Sequence, residues 1–388
     1  RGKAMSSGAS GEKAVEPVLY GNWRQPARAG LGTLSGAATF VLFVVLVLTV
    51  VVNASFGLLP AFFTALVSGV FLVALVRKDR HGVTLIQRIG EVVMFHRARR
   101  KGLTLYRSGP AGKSPWGTCQ LPGVLASTRL GEFADSWDRR FAVLAMPAVG
   151  SYAIVLGCQP DGASLVDQDQ IDLWVARWGM WLADLGQEHG LVGAQAVVET
   201  TPDTGTRLRQ EIQANLVEEA PEVARKVAGE VEMIYPSGTA SVQVYIALTY
   251  QAAPRLGAKR RAMEEFGADM ASRIPGLTAS LAGTGAGIVR PLTAGEVRRV
   301  VRTAYDPASQ ALFDAADLSG QTVDLSWAEC GPAGHDVLRD RYYHDSGVSM
   351  TWMMTQAPKG QVQSDLLARL LAPQKEIWRK RAAVMYRP

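Results

Sequence analysis

Residues 33–76 read TLSGAATFVLFVVLVLTVVVNASFGLLPAFFTALVSGVFLVALV, and this stretch decides the architecture. No Asp, Glu, Lys or Arg occurs between Arg28 and Arg77. Two apolar runs fill most of the interval, about Thr33–Val52 and Phe56–Val76. Each is roughly 20 residues, the length that carries a helix across a ~30 Å hydrocarbon layer. Asn53, Ala54 and Ser55 lie between them and Pro60 sits just inside the second run, which predicts a tight turn and a two-helix transmembrane hairpin. A buried helical pair is the alternative, but soluble cores rarely use so many consecutive Val, Leu and Phe without a polar face. A cleaved signal peptide fits less well, because the first run is long and the second follows at once. Asn53-Ala54-Ser55 also matches a glycosylation sequon, but it lies almost inside the bilayer boundary and is read as chance.

Cations flank this hairpin on its outer sides: Arg24 and Arg28 before it, Arg77, Lys78 and Arg80 after it, none in the turn. The positive-inside rule then places both termini of a multi-pass inner-membrane protein in the cytoplasm. Tyr20 and Trp23 stand where an interfacial aromatic belt would lie. Residues 1–19, rich in Gly, Ser and Lys, read as a disordered tail, and residues 20–81 form the hairpin unit.

The overall charge of +6 is unevenly spread. Residues 77–140 carry thirteen Lys and Arg against five Asp and Glu, net +8, whereas residues 141–388 carry twenty-three against twenty-eight, net −5. The basic excess is juxtamembrane. Arg77, Lys78, Arg80, Arg97, Arg99, Arg100 and Lys101 are the candidate membrane-surface or partner residues. Each such cation near an anionic leaflet is worth about 1 kcal/mol. Nucleic acid would be the sharper partner for the same charges, but lipid proximity accounts for them. Cys119, Cys158 and Cys330 are odd in number and far apart, which suits a reduced cytoplasmic compartment. No pair has metal-ligand spacing.

Residues 82–124 read as a basic juxtamembrane helix followed by a linker. Val83, Ile86, Ile89, Val93 and Met94 recur at helical spacing in 82–101, and Ser108–Gly123 is rich in Gly and Pro. The cytoplasmic αβ domain is placed at 125–388 and is expected to continue past Pro388. Phe141–Met146 and Tyr152–Cys158 predict a strand pair. Ser164 is the candidate cap of a helix whose apolar face holds Ile171, Trp174, Val175, Trp178, Trp181, Leu182 and Leu185. The Trp stripe is read as core. Leu191–Thr200 predicts a strand, Arg207–Ala220 a polar helix and Val242–Tyr250 an alternating strand. Ala258–Ile274 predicts a helix with Met263, Phe266 and Met270 inward, and a strand follows within Leu277–Ile288. The order β-α-β, inserted helix, β-α-β is the split βαβ arrangement of a ferredoxin-like sandwich, giving an α+β class. Thr293–Glu296 forms a capping box for the next helix. Val348–Met353, Leu366–Leu371 and Ala382–Met385 predict an additional αβ layer.

Several motifs invite a catalytic reading. Gly112-Lys113-Ser114 resembles the end of a P-loop, but the early glycine is replaced by Arg107, and Pro115-Trp116 follows instead of a helix start. Gly283–Gly287 alternates glycine, yet Ile288-Val289-Arg290-Pro291 follows where a dinucleotide site would open a helix. His335-Asp336 and His344-Asp345-Ser346 suggest a triad, although strand neighbours point to opposite faces. Cys330, His335 and His344 match no common metal spacing. The sequence therefore assigns no catalytic, cofactor or metal residue.

Tyr20-Gly21-Asn22-Trp23-Arg24-Gln25-Pro26, then Gly30-Leu31-Gly32 and the apolar runs, resemble the start of actinobacterial conjugation-type membrane proteins with a PrgI-like hairpin. Arg290-Pro291-Leu292-Thr293-Ala294-Gly295-Glu296-Val297 is similar to a segment in the amino-terminal domains of CagE/TrbE-type secretion ATPases. So are Asp345–Ser349, Leu366–Pro373 and Met385–Pro388. The resemblance covers nearly the whole chain, but no Walker motif accompanies it, so motor activity does not carry over. It implies a non-enzymatic membrane anchor and docking subunit of a type IV-like secretion machine. Its partners would be a separate secretion ATPase, other membrane subunits, anionic lipid and further copies of itself. Two rivals stay open: a membrane component of type VII secretion, and a membrane-tethered enzyme using His335 or His344.

Overall fold

The computed structural model describes residues 36–77, 79, 83–108, 121–162, 166–203, 205–217, 219–238, 240–253, 259–354, 368–372, 374 and 377–387. Tyr20, Trp23, Arg24, Arg28, Lys78, Arg80, Gly112–Ser114, Cys119 and Ser164 lie outside them. The chain divides into two compact units, residues 1–76 with 354–369, and residues 77–353 with 370–388.

In the first unit, α1 (Gly36–Phe56) and α2 (Leu58–Val76) pack against each other. The break between them is not at Asn53–Ser55. The helix runs through those residues and stops at Gly57, whose φ of +87° suits glycine. The carbonyl of Asn53 still accepts the Gly57 N–H at 3.1 Å.

The second unit is an α+β body that begins with α3 (Leu85–Arg100) and β1 (Leu105–Arg107). Its main sheet is built from β2 (Arg129–Ala134), β3 (Arg140–Met146), β4 (Ser151–Gln159), β5 (Leu191–Pro202), β6 (Ala240–Gln251), β7 (Ile288–Pro291) and β11 (Lys380–Tyr386). Helix α4 (Gln168–Leu185) links β4 to β5, α5 (Thr206–Asn215) and α6 (Glu222–Gly238) link β5 to β6, and α7 (Met263–Leu281) links β6 to β7. Then come α8 (Ala294–Tyr305), α9 (Gln310–Leu318), β8 (Gly334–Val337), β9 (Tyr342–His344), β10 (Gly347–Ser349) and α10 (Ala368–Leu371).

The main sheet is ordered β11-β5-β6-β4-β3-β2 and every pairing is antiparallel. Strand β4 is shared. β6 runs along it from Ser151 to Cys158, β3 pairs with Ser151–Ile154, and β7 pairs with Leu156–Gln159. The β3-to-β7 junction is closed by Leu292, which donates to Val155 O at 2.9 Å and accepts from Ala142 N at 2.8 Å. A separate small sheet is ordered β1-β8-β9-β10.

Alternation along the strands divides two cores. Phe141, Val143, Ile154, Leu156, Ile246, Leu248 and Tyr250 face Trp181 and Leu185 of α4 and Phe266, Met270, Ile274 and Leu281 of α7. On the opposite face Ala142 packs with Leu292, Ala294 and Val297 at the start of α8. The expected capping box of α8 is present, with Thr293 Oγ1 accepting from Glu296 N and Glu296 accepting from Thr293 N. The Trp stripe is core at its end: Trp181 is buried, Trp178 and Leu182 pack against it partly buried, and Val175 is turned outward.

Four expectations need correction. Helix α7 runs through Pro275 to Leu281, and β7 begins only at Ile288. Proline usually ends a helix, but Pro275, Thr278 and Leu281 are buried here, so packing carries the helix onward. The polar segment after β5 forms two helices, the second opening just after Pro221. The residues between the expected helix and the Gly- and Pro-rich stretch contribute β1, which pairs with β8 some 230 residues later. Strand β11 extends the main sheet beside β5 instead of adding a layer.

The β2–β3 hairpin is held by buried Asp135. Its Oδ1 accepts the N–H groups of Trp137 and Arg139, both at 2.9 Å, and Oδ2 accepts Arg139 Nε at 2.8 Å. Burial pushes the Asp135 pKa up, but these donors and the Arg139 charge outweigh it and hold the carboxyl below its ordinary value. A depressed folded pKa contributes stability above the unfolded value of about 3.9 and loses it as pH falls through the folded one. Asp135→Asn is therefore expected to cost roughly 1–2 kcal/mol at neutral pH. It should also flatten the stability loss below about pH 4 in pH-dependent urea unfolding.

Candidate functional site

The first candidate surface is apolar. Helix α1 has no ionisable residue over 21 positions and α2 none over 19. Large Phe, Val and Leu side chains stand exposed along both, including Phe40, Phe43, Leu46, Val47, Phe62, Phe63 and Val67. Two threonine hydroxyls are satisfied within the helices. Thr49 Oγ1 donates to Val45 O at 2.8 Å and Thr64 Oγ1 to Pro60 O at 2.9 Å. Thr39–Phe56 is long and apolar enough to cross a membrane, while the apolar part of α2, Leu58–Ala74, is shorter than that criterion.

The second surface is α3, which follows α2 in sequence. Thr84 and Gln87 form a reciprocal capping box at its start. Leu85, Ile89 and Val93 recur every fourth residue and are exposed. Arg97, Arg99 and Arg100 occupy the last turn, Lys101 is the C-cap, and all four are exposed. Arg100 lies seven residues beyond Val93 and continues the apolar line. The helix is thus divided along its axis, apolar first and cationic last, more than into two faces. Cations at a helix C-terminus also complement its dipole. Arg77 is exposed after α2. Asp79 holds Arg88 at 3.3 Å, both well exposed.

The small sheet gathers the histidines. His335 and His344 are directly paired across β8 and β9. His335 is buried, stacked on Tyr106 with centroids 5.3 Å apart and beside Tyr342 at 5.0 Å. Its pKa is lowered, by burial first and then by Arg107. His344 is buried with both ring nitrogens engaged, Nδ1 with Tyr305 O and Nε2 with Ser349 Oγ at 2.6 Å. Asp345 accepts from Ala333 N at 2.8 Å and pairs with Arg302 at 3.0 Å. Arg302 also holds Asp306 at 2.7 Å and Gly331 O at 2.8 Å. Ser346 donates to Asp306. The sequence neighbours His344, Asp345 and Ser346 therefore have three different partners, each tying the small sheet to the end of α8. Burial pushes the Cys158 and Cys330 thiols up to about 11, far from thiolate nucleophiles. Among the described residues no three His, Cys, Asp or Glu are grouped to hold a metal.

The Gly283–Gly287 alternation forms the turn between α7 and β7. Gly287, at φ +63°, bridges to Gln159, and a Cβ there would meet Gln159 O at 1.7 Å. This close approach of two backbones explains the glycine without a nucleotide. A structural cluster that the sequence reading missed lies under β11. Buried Glu199 pairs with Arg379 at 3.5 Å and with its cross-strand neighbour Arg381.

Residues 27–87 match DUF8461, a domain of unknown function. The matched segment contains both apolar helices and the capped start of α3. No curated protein matches the chain, and no solved structure matches it.

Proposed function

We propose that the protein is a non-enzymatic inner-membrane anchoring and docking subunit of a type IV-like secretion machine. In this reading α1 and α2 form a transmembrane hairpin with both termini in the cytoplasm. The end of α3 lies at the anionic membrane surface, and the α+β body recruits a separate ATPase. The observation that carries it is the pair of uncharged, outward-apolar helices followed after eight residues by a helix whose last turn and C-cap carry four cations. Helix α2 is 19 residues long, about 29 Å, close to the hydrocarbon thickness. The order β5-β6-β4-β7, with α4 and α7 as the two crossovers, supports a ferredoxin-like core. The secretion assignment rests on the family resemblance.

Co-purification from membranes tests the docking role. Full-length protein is expected to retain a secretion ATPase after detergent extraction. Arg99→Glu with Arg100→Glu should weaken that retention while leaving the melting transition unchanged, because membrane attraction falls by about 1 kcal/mol per lost cation and reverses with the added acids. Equal ATPase recovery with both proteins would reject the role of the basic end.

A further inference from the structure

Helix α6 is turned inside out. Val223, Val227, Val231 and Ile234 recur at i, i+4, i+8 and i+11, which places them on one stripe. They are 72, 52, 38 and 67 % exposed. Within 222–234 the half-buried positions are Ala228 and Glu232, and Glu232 pairs with Arg209 of α5 at 2.5 Å. A surface helix ordinarily buries its apolar stripe and shows its charges to water. Here the valines face outward and the least exposed positions are Ala228 and Glu232, the mark of an interaction surface.

The charges select the occupant. Helix α6 carries Glu222, Glu230 and Glu232 against Arg225 and Lys226, the wrong balance for an anionic lipid surface, where such helices are Lys- and Arg-rich. Lys226 and Glu230 run one turn apart along one border of the stripe, and Ala224 and Ala228 lie along the other. In a parallel helix pair the charged border would meet alanines. In an antiparallel pair it meets itself, and with the axis near Ala228, Lys226 faces Glu230 of the partner subunit twice over. An axis midway between Ala228 and Gly229 comes within half a residue of this pairing and of two others, Val227 opposite Val231 of the partner subunit and Val223 opposite Ile234 of the partner subunit. Lys226 now holds Glu222 at 3.1 Å, but both are well exposed, so that pair exchanges at little cost.

We infer that α6 pairs antiparallel with α6 of a second copy of this chain. One 17-residue helix contributes less than the ~1,200–2,000 Å² of a stable interface. The pairing is therefore weak between free molecules and strengthened when copies share a membrane, a step that rests on the anchoring reading.

The test uses full-length protein in which Cys119 is replaced by Ser, since Cys158 and Cys330 are buried. Two differently tagged copies carry Val223→Cys and Ile234→Cys. Oxidation in membranes, and in concentrated detergent solution, is expected to cross-link them about tenfold more than two Val223→Cys copies, which antiparallel pairing separates by roughly 16 Å along the axis. Lys226→Glu should cut the yield several-fold, and Lys226→Glu with Glu230→Lys should restore it. Dominant Val223→Cys self-linking, linking to a different polypeptide, no effect of Lys226→Glu, or no link in either setting would overturn the pairing. Linking in detergent from a protein that washes out of membranes would instead count against the anchor alone.

Discussion

Protein lacking residues 36–76 is expected to leave the membrane pellet completely and appear in the soluble fraction. Thirteen Val, Leu and Phe side chains occur in α1 alone. At about 0.3–0.6 kcal/mol each near the bilayer centre, they supply roughly 4–8 kcal/mol of insertion free energy. Nothing ionisable offsets them. The remaining unit has its own cores, built on the main sheet, and does not draw them from α1 or α2. A milder variant makes the same point: Leu46→Arg with Val47→Arg costs about 5–7 kcal/mol at mid-helix, comparable with the whole gain. The measurement is carbonate extraction of membranes followed by sedimentation. Carbonate-resistant pelleting of the deleted protein, still monodisperse in detergent, would show that another segment holds it.

Glu199→Ala is expected to destabilise the α+β body by about 3–5 kcal/mol, the range for breaking a buried ion pair from one side. Glu199 is 3 % exposed on β5 and stands between two arginines, Arg379 just before the last strand and Arg381 within it. Arg379 is itself largely buried, and burial lowers its pKa while Glu199 raises it. It donates to Thr303 Oγ1 at 3.0 Å and to Gln310 Oε1 at 3.3 Å, joining β11 to α8 and α9. Losing Glu199 leaves this cation without a counter-charge, while Arg381 can turn to water. Urea unfolding should show the loss, and amide exchange of Lys380–Tyr386 should rise first. Replacing the whole cluster with apolar residues should cost far less, because no charge is then stranded. Unchanged stability of Glu199→Ala would mean that water reaches the cluster and that β11 is held by its backbone ladder alone.

The sequence was most legible where one period ran long. The charge-free stretch marked two apolar helices, but not their junction, because Asn53–Ser55 has the composition of a turn and can equally finish a helix before Gly57. Strands β3, β4, β5 and β6 and helices α4 and α7 followed from alternation and helical spacing. Strands β1, β8, β9 and β10 have three or four residues each, too short for a period to show. Helix α6 was missed although Val223, Val227 and Val231 carry a plain helical rhythm. The Glu199 cluster could not be read, because its partners lie about 180 residues apart and meet only when β11 finds β5. The histidines illustrate the reverse case. Their neighbours in sequence suggested a triad, and the fold gives His344, Asp345 and Ser346 three different structural partners.

The most direct test of the account is labelling of single cysteines by a membrane-impermeant reagent in intact cells, at Ser10→Cys, Ser55→Cys and Ser237→Cys. Cations flank the two apolar helices and none lies between them, so the junction should face outward and both flanks inward. Reaction is expected at Ser55→Cys alone, with the other two reacting only after the membrane is opened. Labelling of Ser237→Cys in intact cells, or protection of Ser55→Cys under the same conditions, would contradict it.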